Sequence, residues 1–263
     1  MSRPPWLSPS AWSTWEQCPR RWKFRYVDGL RDEGSIHTVS GRVAHAALDL
    51  LMSHPPEDRS TSLRRACLEV ALESHAEEIE RVGADPDTVR TWATDAVETF
   101  PVTEPGTPSS ANVLHTEREH RMEVNGVPVL LIVDRIDLVP HKLQPTALAI
   151  DYKAGARVKV DEGYKRQMVL SAMAAEEITS LPAPRAELRF VRMGEVREVK
   201  TGPTARATVA EDLRRAWLKI TEACLEDEFP ARPGPLCNWC PYEQDCPDGR
   251  RAARQYRERK GIA

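Results

Sequence analysis

The dipeptide Asn125-Gly126 separates "VLHTEREHRMEV" from "VPVLLIVDRIDLV". Asn-Gly between two strand-like runs is the strongest short-range hairpin signal, because both residues tolerate positive φ. A third run, "TALAIDYK", follows, and the uninterrupted "VLLIV" and "ALAI" predict strands buried on both faces. Ser8-Pro9 and Cys18-Pro19 each read as an N-cap followed by a first-turn proline, predicting two short helices within the first 28 residues. Further helical patterns cover about 38–52, with Val43, Ala46, Ala47, Leu50 and Leu51 on one side, then 60–80, 86–99, 161–178 and 204–226. "FPVTEPGTPSS" at 100–110 reads as a loop, and "AELRFVRM" and "EVREVK" as a late pair of strands. Helices, a mostly antiparallel sheet, a crossing helix, two more strands and a closing helix predict a mixed α/β fold. One layered domain over 1–263 is expected.

A chain of 263 residues with 41% hydrophobic content can bury a substantial core. It contains no 18-residue apolar run, and "MSRPPWLSPSAW" lacks the charged-then-apolar pattern of a signal peptide. A soluble, cytoplasmic protein with no membrane contact is expected. The net charge of −3 taken alone argues against a nucleic-acid partner. Its distribution argues otherwise. "RRWKFR" carries Arg20, Arg21, Lys23 and Arg25 with no anion, and "DGRRAARQYRERK" at 248–260 carries six cations against two anions. Either run alone also fits a solvated helix face.

The second and third strands carry the chemistry. "LLIVDRID" is expected to end a buried strand with Asp134, and 17 residues later "LAIDYK" to end the next with Asp151 and Lys153. Side chains alternate along a strand, so Asp151 and Lys153 share a face and Tyr152 points away. Two carboxylates on neighbouring buried strands make an oxygen-rich cup suited to Mg²⁺ or Mn²⁺. A lysine beside them can polarise a water or stabilise developing negative charge. A same-face Asp–Lys ion pair at a strand end is the plainer reading of a lone D-x-K.

Asp134 with Asp151-Tyr152-Lys153 resembles the D…(D/E)xK signature of the PD-(D/E)XK nuclease superfamily. "VDRIDLV…LAIDYKAG" is similar to its RecB-like exonuclease branch. "GRVAHAALD" resembles that branch's glycine-x-x-x-histidine helix, which implies His45 as a metal ligand. "YKRQMVLSA" resembles its Q-x-x-x-Y helix, which implies Gln167 near the scissile DNA. The tyrosine position is Ser171 here, and Tyr164, one turn earlier on the same face, is the available aromatic. Glu117 or Glu119 in "HTEREHR" matches an acidic residue that precedes the hairpin in relatives. The resemblance implies a restriction-endonuclease-like core and phosphodiester hydrolysis of DNA, with divalent ions on His45, Asp134, Asp151 and the Tyr152 carbonyl. Lys153 would orient water or neutralise charge. A non-catalytic DNA-binding or scaffold module of a larger complex is the alternative. The sequence has no GxxxxGK[ST] loop, so any unwinding falls to a helicase or recombination partner.

"CNWCPYEQDC" places cysteines at 237, 240 and 246, one short of a four-thiolate site. Cys67 and Cys224 sit within helical patterns among aliphatic residues, where a small apolar side chain is ordinary. Cys18, at a helix start before proline, is the best fourth ligand. Four thiolates suit zinc or a [4Fe–4S] cluster by ligand type. The split arrangement, with "CPRRW" near one end and C-x₂-C-x₅-C near the other, is similar to RecB-like nucleases with a [4Fe–4S] cluster. That resemblance implies the cluster, in a structural role. Such a clip would bring the two cationic runs together, where cations track phosphates and aromatics stack on the bases of single-stranded DNA.

Overall fold

The structure, a computed structural model, describes residues 3–103 and 111–262. Its helices are α1 (Pro9–Gln17), α2 (Pro19–Tyr26), α3 (Ile36–Ser53), α4 (Thr61–Ser74), α5 (Ala76–Arg81), α6 (Pro86–Thr103), α7 (Glu162–Thr179), α8 (Pro203–Glu226) and α9 (Pro247–Lys260). The strands are β1 (Val113–Val124), β2 (Val127–Val139), β3 (Thr146–Tyr152), β4 (Arg185–Phe190) and β5 (Glu195–Lys200). They form one five-stranded sheet in the order β1-β2-β3-β4-β5. β2–β3 and β4–β5 are antiparallel, and β3–β4 is parallel across the α7 crossover. This is the expected mixed sheet flanked by helices.

The β1–β2 turn has φ of 51° at Asn125 and 75° at Gly126, the two positive values that a twist-matched hairpin turn requires. β3 is buried on both faces as expected, but β2 is not. Its first half alternates, and Ile132 is 50% exposed. The apolar run "VLLIV" therefore overstates its burial. β2 also continues five residues past Asp134, which lies inside the strand rather than at its end. The helix expected over 60–80 breaks at His75. Ser74 Oγ and His75 Nδ1 both reach back to the Ala71 carbonyl, a local alternative to continuing the helix. α6 runs on to Thr103, through Pro101, past the expected loop start at 100; the rest of that loop, 104–110, lies outside the described residues. "AELRFVRM" ends as a strand at Phe190, where a turn leads into β5.

The chain divides into two compact units, one of residues 34–122 and 131–209, the other of 1–33, 123–130 and 210–263. In the first, Val39, Val43, Ala47, Leu48 and Leu51 of α3 pack with α4, α6 and the β3 residues Leu148, Ile150 and Tyr152. The small Ala147 and Ala149 alternate with these, and α7 packs against β3 and β4. In the second, Trp22 is fully buried. Its ring is stacked on Phe229 at 6.1 Å and meets the edge of Trp15 at 5.6 Å. Arg20 Nε donates to the Phe229 carbonyl at 2.8 Å, and Leu7 pairs with Val129. Residues more than 200 positions apart are thus joined by aromatic packing and a side-chain bond to a carbonyl, and Leu7 and Val129 by a backbone bridge.

Trp22→Ala should cost about 3–5 kcal/mol of stability, the usual range for emptying a fully buried aromatic site. Chemical denaturation measures it. A loss under about 1 kcal/mol would show that the aromatic cluster does not hold these segments.

Candidate metal and phosphodiester site

α3, β1 and β2 bring three ligand-type side chains together in the larger unit. One ligand atom from each of His45, Glu117 and Asp134 lies within 4.8 Å of the others. His45 Nδ1 is 3.4 Å from Asp134 Oδ2 and 4.0 Å from Glu117 Oε1. Glu117 has a φ of 42°, a strained value for a non-glycine residue in a strand, and such outliers cluster at ligand sites. Glu119 is exposed and paired with Arg121. The structure therefore separates the two candidate glutamates and brings Glu117 to His45 and Asp134.

β3 contributes the other half. Its ladder to β2 begins at Arg135↔Ile150, so Asp134 and Asp151 face each other one residue beyond it. The Tyr152 amide donates to Asp134 Oδ2 at 2.8 Å. Lys153 Nζ lies 2.7 Å from Asp151 Oδ2, an ion-pair distance, although that buried oxygen takes no hydrogen bond of good angle. Gln167, from α7, bridges the pair. Its Nε2 donates to Asp151 Oδ1 at 2.6 Å and its Oε1 accepts from Lys153 at 3.3 Å. Tyr164 offers its ring face to Lys153 Nζ at 4.3 Å from the centroid. Ser171, at the position where the resemblance calls for tyrosine, is buried. Asp151 is thus held by Lys153 and Gln167 rather than within the compact triad. His45, Glu117, Tyr152, Lys153 and Tyr164 line a cleft of about 1220 Å³.

Behind the cleft lies an ion network that sequence reasoning missed. Arg135 is fully buried; its Nε donates to Asp137 Oδ1 at 2.7 Å, its Nη2 to Oδ2 at 2.5 Å and its Nη1 to the Tyr152 hydroxyl at 3.0 Å. The same arginine holds the Tyr152 hydroxyl, at the end of the residue away from the amide that meets Asp134. Two charges at alternate positions of an apolar strand, "DRID", were the available signal.

Burial and the neighbouring Asp151 charge push the Asp134 carboxyl from 3.8 up to about 7, against the pull of His45 and the Tyr152 amide. Glu117 is raised too, first by burial. Such a site favours either a proton or a cation. Between pH 3.8 and about 7 the folded metal-free protein keeps a proton on Asp134 that the unfolded chain has released. Stability therefore falls as pH rises through that window. Thermal melts of metal-free protein at pH 5 and pH 8 should show the decline, and Asp134→Asn should remove most of it. An identical decline in the asparagine variant would assign it to other groups.

In the smaller unit Cys18, Cys237, Cys240 and Cys246 line one cavity of about 150 Å³. Backbone N–H groups of Arg232, Gly234 and Gly249 donate to the sulfurs of Cys18, Cys237 and Cys246 at 3.4, 3.4 and 3.2 Å. A Cβ at Gly249 would meet Cys246 Sγ at 3.2 Å, so the glycine admits that close approach. Among the described residues, no three of these sulfurs come within 4.8 Å of one another. Cys67 and Cys224 are buried in α4 and α8, and burial raises both thiols. Of the cations in "RRWKFR", Arg20 holds the Phe229 carbonyl, Lys23 pairs with Asp227 at 2.9 Å and Arg25 with Asp32 at 3.6 Å. Arg21 reaches Gln17 at 3.4 Å. In α9, Arg257 bonds Glu243 and Asn238. No helix among the described residues is long and apolar enough to cross a membrane.

A family model of the PD-(D/E)XK nuclease superfamily matches residues 6–247. No curated protein matches the chain in sequence. Among solved structures, one from Eubacterium rectale described as a "putative exonuclease" aligns with a TM-score of 0.54 and 11% identity, over 90% of this chain and 87% of that one. A second, SSO0001, aligns with a TM-score of 0.40 and 14% identity, over 95% and 89%. The first likeness is one of fold.

Proposed function

We propose, from the premise that the chain belongs to the PD-(D/E)XK nuclease superfamily, that it is a metal-dependent DNA exonuclease of the RecB-like branch. Its substrate is single-stranded DNA or DNA ends. The observation that carries this reading is the convergence of His45, Glu117 and Asp134 beside the Asp151–Lys153–Gln167 cluster, with His45, Glu117 and Lys153 lining one open cleft. The carboxylates, the imidazole and the raised Asp134 carboxyl fit Mg²⁺ or Mn²⁺. His45, Glu117, Asp134, Asp151 and the Tyr152 carbonyl would hold the ion. When bound, it supplies Lewis acidity toward a phosphate oxygen and a more acidic water.

The chain's own groups do the rest. Lys153 places a positive charge where negative charge develops on the phosphate. Gln167 keeps Lys153 and Asp151 in register through its two hydrogen bonds. Tyr164 holds the lysine ammonium over its ring and lies in the cleft, where a DNA strand would pass. If Asp134→Ala protein degrades single-stranded DNA at the wild-type rate, the site assignment is wrong. Activity within a helicase or recombination assembly is part of the same proposal.

For the four cysteines we propose a structural [4Fe–4S] cluster, with zinc as the alternative. Four thiolates suit either group by ligand type, and the split placement of Cys18 against Cys237, Cys240 and Cys246 around one cavity supports the reading. The three N–H···S bonds suit thiolates. Arg20, Arg21, Lys23 and Arg25 are proposed DNA contacts, Arg21 first, since its bond is to the uncharged Gln17 side chain, whereas Lys23 and Arg25 are in ion pairs and Arg20 holds a carbonyl.

Cys18→Ala and Cys240→Ala should each abolish iron and acid-labile sulfide in anaerobically purified protein, while Cys67→Ala and Cys224→Ala retain both. Equal loss in all four would remove Cys18 as the fourth ligand, and a colourless wild type holding one zinc would replace the cluster.

A further inference from the structure

We propose that the end of the cleft formed by His37 and Trp92 is a base-stacking subsite for single-stranded DNA; this rests on the nuclease reading above and adds how the strand lies. His37, Gly41, His45 and Asp49 follow one another at four-residue intervals along α3, and all four line the same cleft. At about 1.5 Å per residue, His37 stands roughly 12 Å along the helix from His45. At about 3.4 Å per nucleotide of a stacked strand, that is three or four nucleotides from the scissile phosphate. Gly41 lies between, and a Cβ there would meet nothing within 4 Å. The floor joining the two ends is therefore open to a polynucleotide backbone.

The aromatic end is rigid beneath and exposed above. Trp92 donates from Nε1 to the Ala154 carbonyl at 2.9 Å. The Arg192 guanidinium lies 4.1 Å from its ring centroid and is itself held by Asp95 at 3.2 Å. The exposed His37 ring sits on this fixed pair, 4.9 Å from Trp92 and tilted by 54°. An exposed imidazole adds little to the core, so its place over a locked indole offers a π-face to the cleft. Nucleobases fit such a face whatever their identity, and only unpaired bases can reach it, since duplex bases are stacked on one another. Arg157, exposed on the loop after Lys153, lines the same cleft and is available to phosphate.

The test uses the full chain with oligo(dT) of two to ten nucleotides and the small diester thymidine 5′-(4-nitrophenyl phosphate), both with Mn²⁺. Binding of a labelled decanucleotide in Ca²⁺ is measured alongside. Wild-type KM should fall steeply up to about four nucleotides and then level. His37→Ala should raise the decanucleotide KM and Kd about 5- to 100-fold more than it changes the KM of the diester. His37→Tyr, which keeps a ring, should stay near wild type. Unchanged decanucleotide KM and Kd in His37→Ala would overturn the subsite. Weakened binding in a protein that cleaves neither substrate would keep the subsite and reject the nuclease reading.

Discussion

Replacing Lys153 with methionine should lower kcat on single-stranded DNA by about 10²–10³-fold with a smaller change in KM. That is the usual effect of deleting one fixed positive donor at a developing anion. The ammonium is placed by three groups at once: Asp151 Oδ2 at 2.7 Å, Gln167 Oε1 at 3.3 Å and the Tyr164 ring at 4.3 Å. Burial is the largest single influence and lowers its pKa, but Asp151 together with Tyr164 and Asp134 outweighs it, and the net shift is upward, so the lysine stays charged at neutral pH. An arginine at 153 keeps the charge but replaces a compact ammonium with a planar fork too large for this setting, and should restore little. Circular dichroism on each variant separates chemical loss from unfolding. Wild-type kcat in a folded Lys153→Met protein would remove the lysine from catalysis.

A stability effect as large as that of Trp22→Ala is expected behind the site. Arg135→Met should cost about 3–5 kcal/mol, because it leaves the nearly buried Asp137 carboxylate without its bidentate partner. Replacing both members, as Arg135→Met with Asp137→Leu, should recover most of that loss, since a well-packed apolar pair carries no desolvation penalty. The double variant should also show whether the network serves the site. Tyr152 accepts from Arg135 at its hydroxyl and donates from its amide to Asp134. If the network aims Tyr152, the stable double variant has lower kcat; if it only fills the core, kcat is unchanged. Urea denaturation read beside single-strand cleavage distinguishes the two.

The hairpin was legible because Asn125-Gly126 has few other uses. Asp134 and the Asp151–Lys153 pair were legible because two apolar runs in succession each lead into a carboxylate. His45 and Gln167 came from the resemblance alone, since a helical histidine or glutamine carries no signal by itself. Glu117 and Glu119 share one strand face, and what separates them is the positive φ at Glu117, a local kink invisible in residue order. Trp92 could not be foreseen as a neighbour of Ala154, because that contact depends on how α6 packs. The cations of "RRWKFR" read as free from sequence. Lys23 and Arg20 instead meet Asp227 and the Phe229 carbonyl, more than 200 residues away.

The most direct measurement is degradation of a labelled single-stranded oligonucleotide by the purified protein, untreated, after chelation, and after adding back Mg²⁺ or Mn²⁺, with Asp134→Ala in parallel. Cleavage that disappears with chelator, returns with either ion and is absent from the variant is the expected result. Cleavage that persists in the variant, or a wild type that binds the strand yet never cuts it under any divalent ion, would contradict a metal-dependent nuclease site at His45, Glu117 and Asp134.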